Sequence, residues 1–445
     1  MSPNAFNKFN LVFQMRLRAA EEHRDTHLAT SVHHKTWVTV HLHRLRKNLM
    51  SDHKRMVPAV LEAVPQPIPT NIRPLPPARP AHLPALTGLR FVLALWVIVN
   101  HLVGKGHVYE PAAQFLPGPL QAVMRGGYLA VPTFFMLSGL VLARTYSAIS
   151  WTRQTLWKYA VGRFARVYPV YLLSLLIVAP FIVKAQDQPK AWLVAMHLTL
   201  LQAWWVGHYT AGWNTPAWSL SCEMFFYLVF PVFVLRWKKL GWITTLATAA
   251  LACALTKLMW AAGISDQLKP VIHLADFLMG IAIARALELI TAQHALKAGR
   301  WPSGKWLYAT GILGSALLIG YAQYLPDSLP LTILLRPMNA LLLLGFALGG
   351  GWLARFLATR PLVYLGKASY SMYILHIPIL WWAVSWPGTL VRNYYVAFVI
   401  ALSCIVFAGL EEPLNRYLRS LAGRKGPNGT NGTNGTPSLV SPDFI

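Results

Sequence analysis

The stretch "ALTGLRFVLALWVIVNHLVG", residues 85–104, is dominated by leucine, valine and alanine and is long enough to cross a lipid bilayer as one helix. A crossing needs about 20 apolar residues at a rise of about 1.5 Å each. Two side chains interrupt the pattern, Arg90 near one end and His101 near the other. On a helix they lie roughly 16 Å apart along the axis, about half the hydrocarbon thickness. Arginine or aspartate at mid-bilayer costs about 2.5–3.5 kcal/mol on insertion scales, so such a residue needs a partner or a chemical task.

The same texture extends outward from this stretch. Of 445 residues, 55% are hydrophobic and only 12% are charged. A soluble domain would carry about a quarter charged residues. Mean hydropathy is +0.42. Ten apolar stretches read as spans: 84–103, 126–143, 166–184, 217–235, 242–262, 268–290, 305–325, 331–354, 364–386 and 394–413. The expected fold is an all-α integral membrane protein with about ten transmembrane helices. The segment 191–206 ("AWLVAMHLTLLQAWWV") is short and holds His197 and Gln202, so it reads as a re-entrant or interfacial helix rather than an eleventh span.

A formal charge of +25 would suit a nucleic-acid partner, but its distribution points to a membrane. With the N-terminus in the cytoplasm, nineteen Lys and Arg beyond the first span fall on the inner side and seven on the outer. That asymmetry is the positive-inside pattern. Both termini are therefore expected in the cytoplasm, with the chain in the plasma (inner) membrane. Residues 1–83 form a basic, then Pro-rich cytoplasmic extension ("VPQPIPTNIRPLPPARP"), expected to be disordered. Residues 84–415 form the transmembrane domain, and 416–445, with "NGTNGTNGT", a low-complexity cytoplasmic tail. Cys222, Cys253 and Cys404 all fall within spans and match no disulfide framework or metal pattern.

Polar residues inside the spans carry the chemistry. Arg163 and Arg166 are three apart and share one helix face at the inner mouth of the third span. Glu223 lies in the outer half of the fourth, Asp276 in the sixth and His376 in the ninth. A cluster of guanidiniums is suited to phosphate, whose oxygens arginine grips bidentately. A histidine in a partly dry site can take a proton from a hydroxyl. The sequence holds no Gly-rich phosphate loop, no Cys/His metal spacing and no G-x-S-x-G elbow. Asp276 and His376 read equally well as hydrogen-bonding glue between helices.

The pairing Arg90-x10-His101 is followed by "FFMLSGLVLAR" (134–144), "RFARVYPVYLL" (163–173), "PAWSLSCEMFFYLVFPVF" (216–233) and "LGKASYSMYILHIPI" (365–379). Over 85–415 this ordered set resembles the membrane acyltransferase-3 family, which includes O-antigen, peptidoglycan and macrolide O-acyltransferases. One departure is Cys222-Glu223-Met224, where many relatives carry a second acid.

The resemblance implies an O-acyltransferase that moves an acyl group, expected to be acetyl, from cytoplasmic acyl-CoA without a metal. The acceptor would be a hydroxyl of a glycan, a lipid-linked sugar or a secreted metabolite. Arg90, Arg163 and Arg166 would hold the CoA phosphates. His101 would serve as general base or carry the acyl group between two half-reactions, with Glu223 orienting or tuning it. The alternative is a transporter with an intramembrane His/Glu/Arg path, whose usual mark, paired broken spans in two related halves, is missing from this sequence.

Overall fold

The computed structural model describes residues 83–103, 114–146, 149–185, 191–204, 213–236, 242–263, 268–297, 303–321, 331–385 and 393–423. The basic extension expected over 1–83, apart from its last residue, and the "NGTNGTNGT" run lie outside the described residues. Among the described residues every regular element is helical.

Ten helices carry the ten expected stretches. They are α1 (Pro84–Val103), α2 (Ala130–Tyr146), α3 (Arg153–Ala185), α4 (Trp218–Arg236) and α5 (Trp242–Ala261). The remainder are α6 (Lys269–Lys297), α7 (Lys305–Gly320), α8 (Leu331–Leu348), α9 (Ser369–Ser385) and α10 (Tyr395–Val406). Among the described residues six segments are long and apolar enough to cross a membrane: Pro84–Val103, Gly127–Tyr146, Arg153–Val183, Thr215–Val234, Leu331–Leu348 and Tyr395–Gly423. Of the other four, α7 and α9 have only 16 and 17 residues. α5 and α6 have 20 and 29 residues, and α6 carries Asp276, Arg285 and Glu288 along its length.

Three expected elements take a different form. The stretch 331–354 is broken, because Gly349, Gly350 and Gly351 adopt φ of +75°, +89° and +74°, a left-handed backbone that glycine tolerates. A short helix, Gly351–Leu357, resumes beyond the break. The stretch 364–386 divides at Ala368 into Arg360–Lys367 and α9. The last helix runs on through a π turn, Phe407–Glu411, into Glu412–Gly423, beyond the tenth stretch of 394–413.

The segment 191–206 forms an eight-residue helix, Ala191–Leu198. It stops before Leu200, whose φ of 58° no helix continues through. Beyond the Leu200 N–H that reaches His197 O at 3.2 Å, its last carbonyls need donors from outside the helix. Tyr171 Oη donates to His197 O at 2.6 Å and Tyr168 Oη to Leu198 O at 3.0 Å, so α3 supplies them.

Helices in lipid gain little from hiding apolar surface against one another, so close backbone approach through small residues holds them together. α2 and α6 show this. A Cβ on Gly139 would fall 2.1 Å from Phe277 O, and one on Gly280 1.9 Å from Met136 O. Gly280→Val is therefore expected to push the pair apart and destabilise the protein by about 1–3 kcal/mol, the usual cost of overpacking. Thermal unfolding in detergent checks this, and a Gly280→Val melting point equal to the parent's would refute the close crossing. α1 is clamped in the same way, with Gly88 against Leu357 and Gly366 against Thr87.

Candidate active site

Five helices converge on one cavity. α3 presents Arg163 and Arg166 one turn apart, and α1 brings Arg90. α4 contributes Glu223 and Tyr227 at i, i+4, α9 adds Tyr370 and Tyr373, and α2 adds Phe134 and Ser138. The cavity holds about 820 Å³ of empty space, its open mouth included.

Aromatic rings steady the cations. The Arg163 guanidinium sits 5.6 Å from the Tyr227 ring centre and 6.0 Å from that of Tyr159. Tyr159 Oη in turn donates to Tyr227 O at 2.9 Å, tying α3 to α4. Arg166 lies 5.3 Å from the Tyr370 ring centre, and Tyr370 Oη donates to Val167 O at 2.5 Å. Glu223 accepts a hydrogen bond from Tyr227 Oη at 2.9 Å.

Arg163 and Arg166 are 3% and 5% exposed, yet much of their hydrogen-bonding capacity is unused. Arg90 Nε, Arg163 Nε and Nη2, and Arg166 Nη2 are all buried without a hydrogen-bond partner. A buried N–H left unmade costs about 1–3 kcal/mol, more when it carries charge. Glu223 is the one carboxylate lining a cavity with three guanidiniums. An anion with several acceptor oxygens would satisfy both the geometry and the charge.

Glu411 is the site residue that sequence reasoning missed. It is 1% exposed, pairs with Arg166 Nη1 and accepts from Ser371 Oγ at 2.5 Å. The π turn adds a residue to the helix and separates two adjacent acids. Glu411 faces inward, while Glu412 pairs with the largely exposed Arg416. A signal was present: "LEEP" puts two carboxylates inside the tenth apolar stretch, where an acid needs a role. Ser371, within the "LGKASYSMYILHIPI" motif, joins this network.

The histidines form a second centre. His101 ends α1, and its Nδ1 lies 3.0 Å from Val97 O and 3.4 Å from His376 Nε2. The ring centres are 5.0 Å apart. His376 is fully buried, with Nδ1 2.6 Å from Tyr373 O. A carbonyl accepts, so His376 carries its proton on Nδ1 and offers Nε2 as acceptor. His101 must then carry its own proton on Nδ1, which leaves the lone pair on His101 Nε2. The expected orienting partner of His101 was Glu223; the ring that meets it is His376's, and Glu223 shares the arginine cavity instead.

A proline two residues on shapes the backbone around His376. Pro378 has no N–H for the carbonyl of Ile374, and Asn214 Nδ2 donates to that oxygen at 2.8 Å. Tyr395 Oη donates to His376 O. Tyr373 joins the two centres: it lines the cavity, and its ring centre is 6.1 Å from that of His376.

Asp276 has a structural role. Its carboxylate takes Arg336 Nε at 2.7 Å and His273 Nδ1 at 2.9 Å, an ion pair that ties α6 to α8.

Residues 83–410 match the acyltransferase domain that defines the acyltransferase-3 family. The chain belongs to that family. This sets aside the transporter reading and makes the protein an acyltransferase. Among its relatives, acyltransferase MdmB of Streptomyces mycarofaciens is 28% identical over 341 residues, 68% of this chain and 80% of the relative. O-acetyltransferase OatA of Staphylococcus aureus is 25% identical over 380 residues, 78% of this chain and 58% of the relative. The putative peptidoglycan O-acetyltransferase YrhL of Bacillus subtilis is 22% identical over 374 residues, 75% and 55% respectively. The chain thus spans little more than half the length of the last two. No solved structure matches it. In this acyltransferase the matched region contains the whole lining of the cavity and both histidines, and it stops one residue before Glu411.

Proposed function

We propose that this membrane acyltransferase takes an acyl group, acetyl in the simplest case, from cytoplasmic acyl-CoA. The group passes to a hydroxyl of a glycan, a lipid-linked sugar or a secreted product. The observation that carries this reading is the set of buried, unpartnered guanidinium N–H groups of Arg90, Arg163 and Arg166 around one cavity. The charged oxygens of a diphosphate suit that donor set. The relatives named O-acetyltransferases support a hydroxyl acceptor.

The chain's own groups divide the work. The arginines bind and orient the phosphates. His101 Nε2 takes the proton of the acceptor hydroxyl as its oxygen bonds to the acyl carbon, and the sulfur leaves as thiol once that proton is delivered to it. His376 fixes the tautomer that leaves Nε2 as the base. Glu223 limits the positive charge of the cavity and fixes Tyr227. The reading includes ten spans with both termini in the cytoplasm, which puts the arginines on the donor's side.

Calorimetric titration of the purified protein with acetyl-CoA tests the donor. Arg163→Ala and Arg166→Lys are each expected to weaken binding about tenfold or more, since charged hydrogen bonds contribute about 1.5–3 kcal/mol and lysine lacks the planar fork. Unchanged affinity in both variants would overturn the assignment.

A further inference from the structure

The helix Glu412–Gly423 lies beyond the region that matches the family, and it packs along α3. Its Arg416 is paired with Glu412. Arg419 differs. Its guanidinium lies flat against Gly162, with Cζ, Nε and Nη2 each 3.7 Å from where a Cβ of that glycine would stand. Arg419 Nε is buried and has no hydrogen-bond partner. The next residue of α3 is Arg163, whose charge acts on Arg419 and which has two buried unpartnered nitrogens of its own. Arg419 thus packs on the residue next to Arg163, and both guanidiniums keep unmade donors that an anion would satisfy.

The direction of this row matters. Tyr370 meets Val167 and Trp382 meets Ile177, so α9 and α3 run parallel, and His376 lies on the C-terminal side of the Tyr370–Val167 contact. Gly162 is on the N-terminal side of Arg163, and Arg166 on the other. Arg419 therefore continues the cationic row from Arg166 through Arg163, away from the histidines. In acyl-CoA the group farthest from the thioester, beyond the pantetheine arm and the diphosphate, is the nucleotide with its 3′-phosphate monoester.

We propose that Arg419, on the C-terminal helix, is the outermost guanidinium of the donor site and grips the 3′-phosphate of the CoA nucleotide. This rests on the acyl-CoA reading above and adds a specificity element to it. The same phosphate chemistry could come from a lipid headgroup, and the choice of ligand separates the two.

The experiment compares binding of CoA and of 3′-dephospho-CoA to the purified full-length chain in detergent, for the parent and for Arg419→Gln. The parent is expected to bind CoA about tenfold more tightly than 3′-dephospho-CoA. Arg419→Gln should lose that preference, by weakening toward CoA while keeping its affinity for 3′-dephospho-CoA. Arg419→Lys should keep part of the preference, which separates loss of charge from loss of fold. Equal loss for both ligands, as a lipid-phosphate role would give, overturns the proposal, and so does a parent with no preference. If the parent binds neither nucleotide, the acyl-CoA reading itself falls.

Discussion

Acyl transfer by His101→Gln is expected to be about 10²–10⁴-fold slower than by the parent, the usual loss when a general base is removed. Donor affinity should stay unchanged, because Arg90 lies eleven residues, about 16 Å, farther down α1, where it lines the cavity with Arg163 and Arg166 of α3. Glutamine preserves polarity and size while offering no nitrogen lone pair to accept a proton. The tautomer argument makes this specific. His101 Nδ1 already faces Val97 O and His376 Nε2, so the chemistry falls to Nε2. A single-turnover assay with labelled donor, beside a binding titration, reads both quantities. Near-parental turnover in His101→Gln would make the histidine structural and remove the proposed chemistry. Donor supplied without acceptor resolves the step further: a protein-bound acyl group in the parent but not in His101→Ala indicates a covalent acyl-histidine rather than direct transfer.

Glu411→Ala should cost about 3–5 kcal/mol of stability, the penalty for removing one partner of a buried ion pair. The loss exceeds one hydrogen bond because Arg166 keeps its charge in a buried site, and Ser371 Oγ loses its acceptor as well. Freed from Glu411, the Arg166 side chain no longer has a fixed direction in the cavity, so donor binding should weaken in parallel. Glu412→Ala is the control. Its pair with Arg416 is largely exposed and contributes at most about 1 kcal/mol. Thermal unfolding of the two variants in the same detergent makes the comparison, and equal melting points would show that Glu411 carries no buried pair.

Much of this protein can be read along the chain. The apolar stretches locate ten of the helices among the described residues, because lipid demands long apolar segments whose backbone bonds are satisfied internally. Where the breaks fall was harder to read. Gly349-Gly350-Gly351 interrupts an apolar run that hydropathy alone carries across, and the π turn at Phe407–Glu411 leaves no mark on apolarity. Arg90, Arg163, Arg166 and Glu223 could be named in advance, since a costly side chain in an apolar span stands out one residue at a time.

Their partners could not be named in this way, because a partner is a relation between distant helices. His376 and Asp276 look alike along the chain, each a single ionisable residue in an apolar stretch. Packing sets His376 against His101 and ties Asp276 to Arg336 in a scaffold pair. Glu411 and Glu412 are neighbours in sequence, and one extra residue in a helical turn sends the first into the core and leaves the second outside. The linear pattern reports what each residue costs in lipid, which is local. The assembled helices settle which costs are offset by a neighbour and which nitrogens stay unmade, because hydrogen bonds and ion pairs act over a few ångströms in space whatever the separation along the chain.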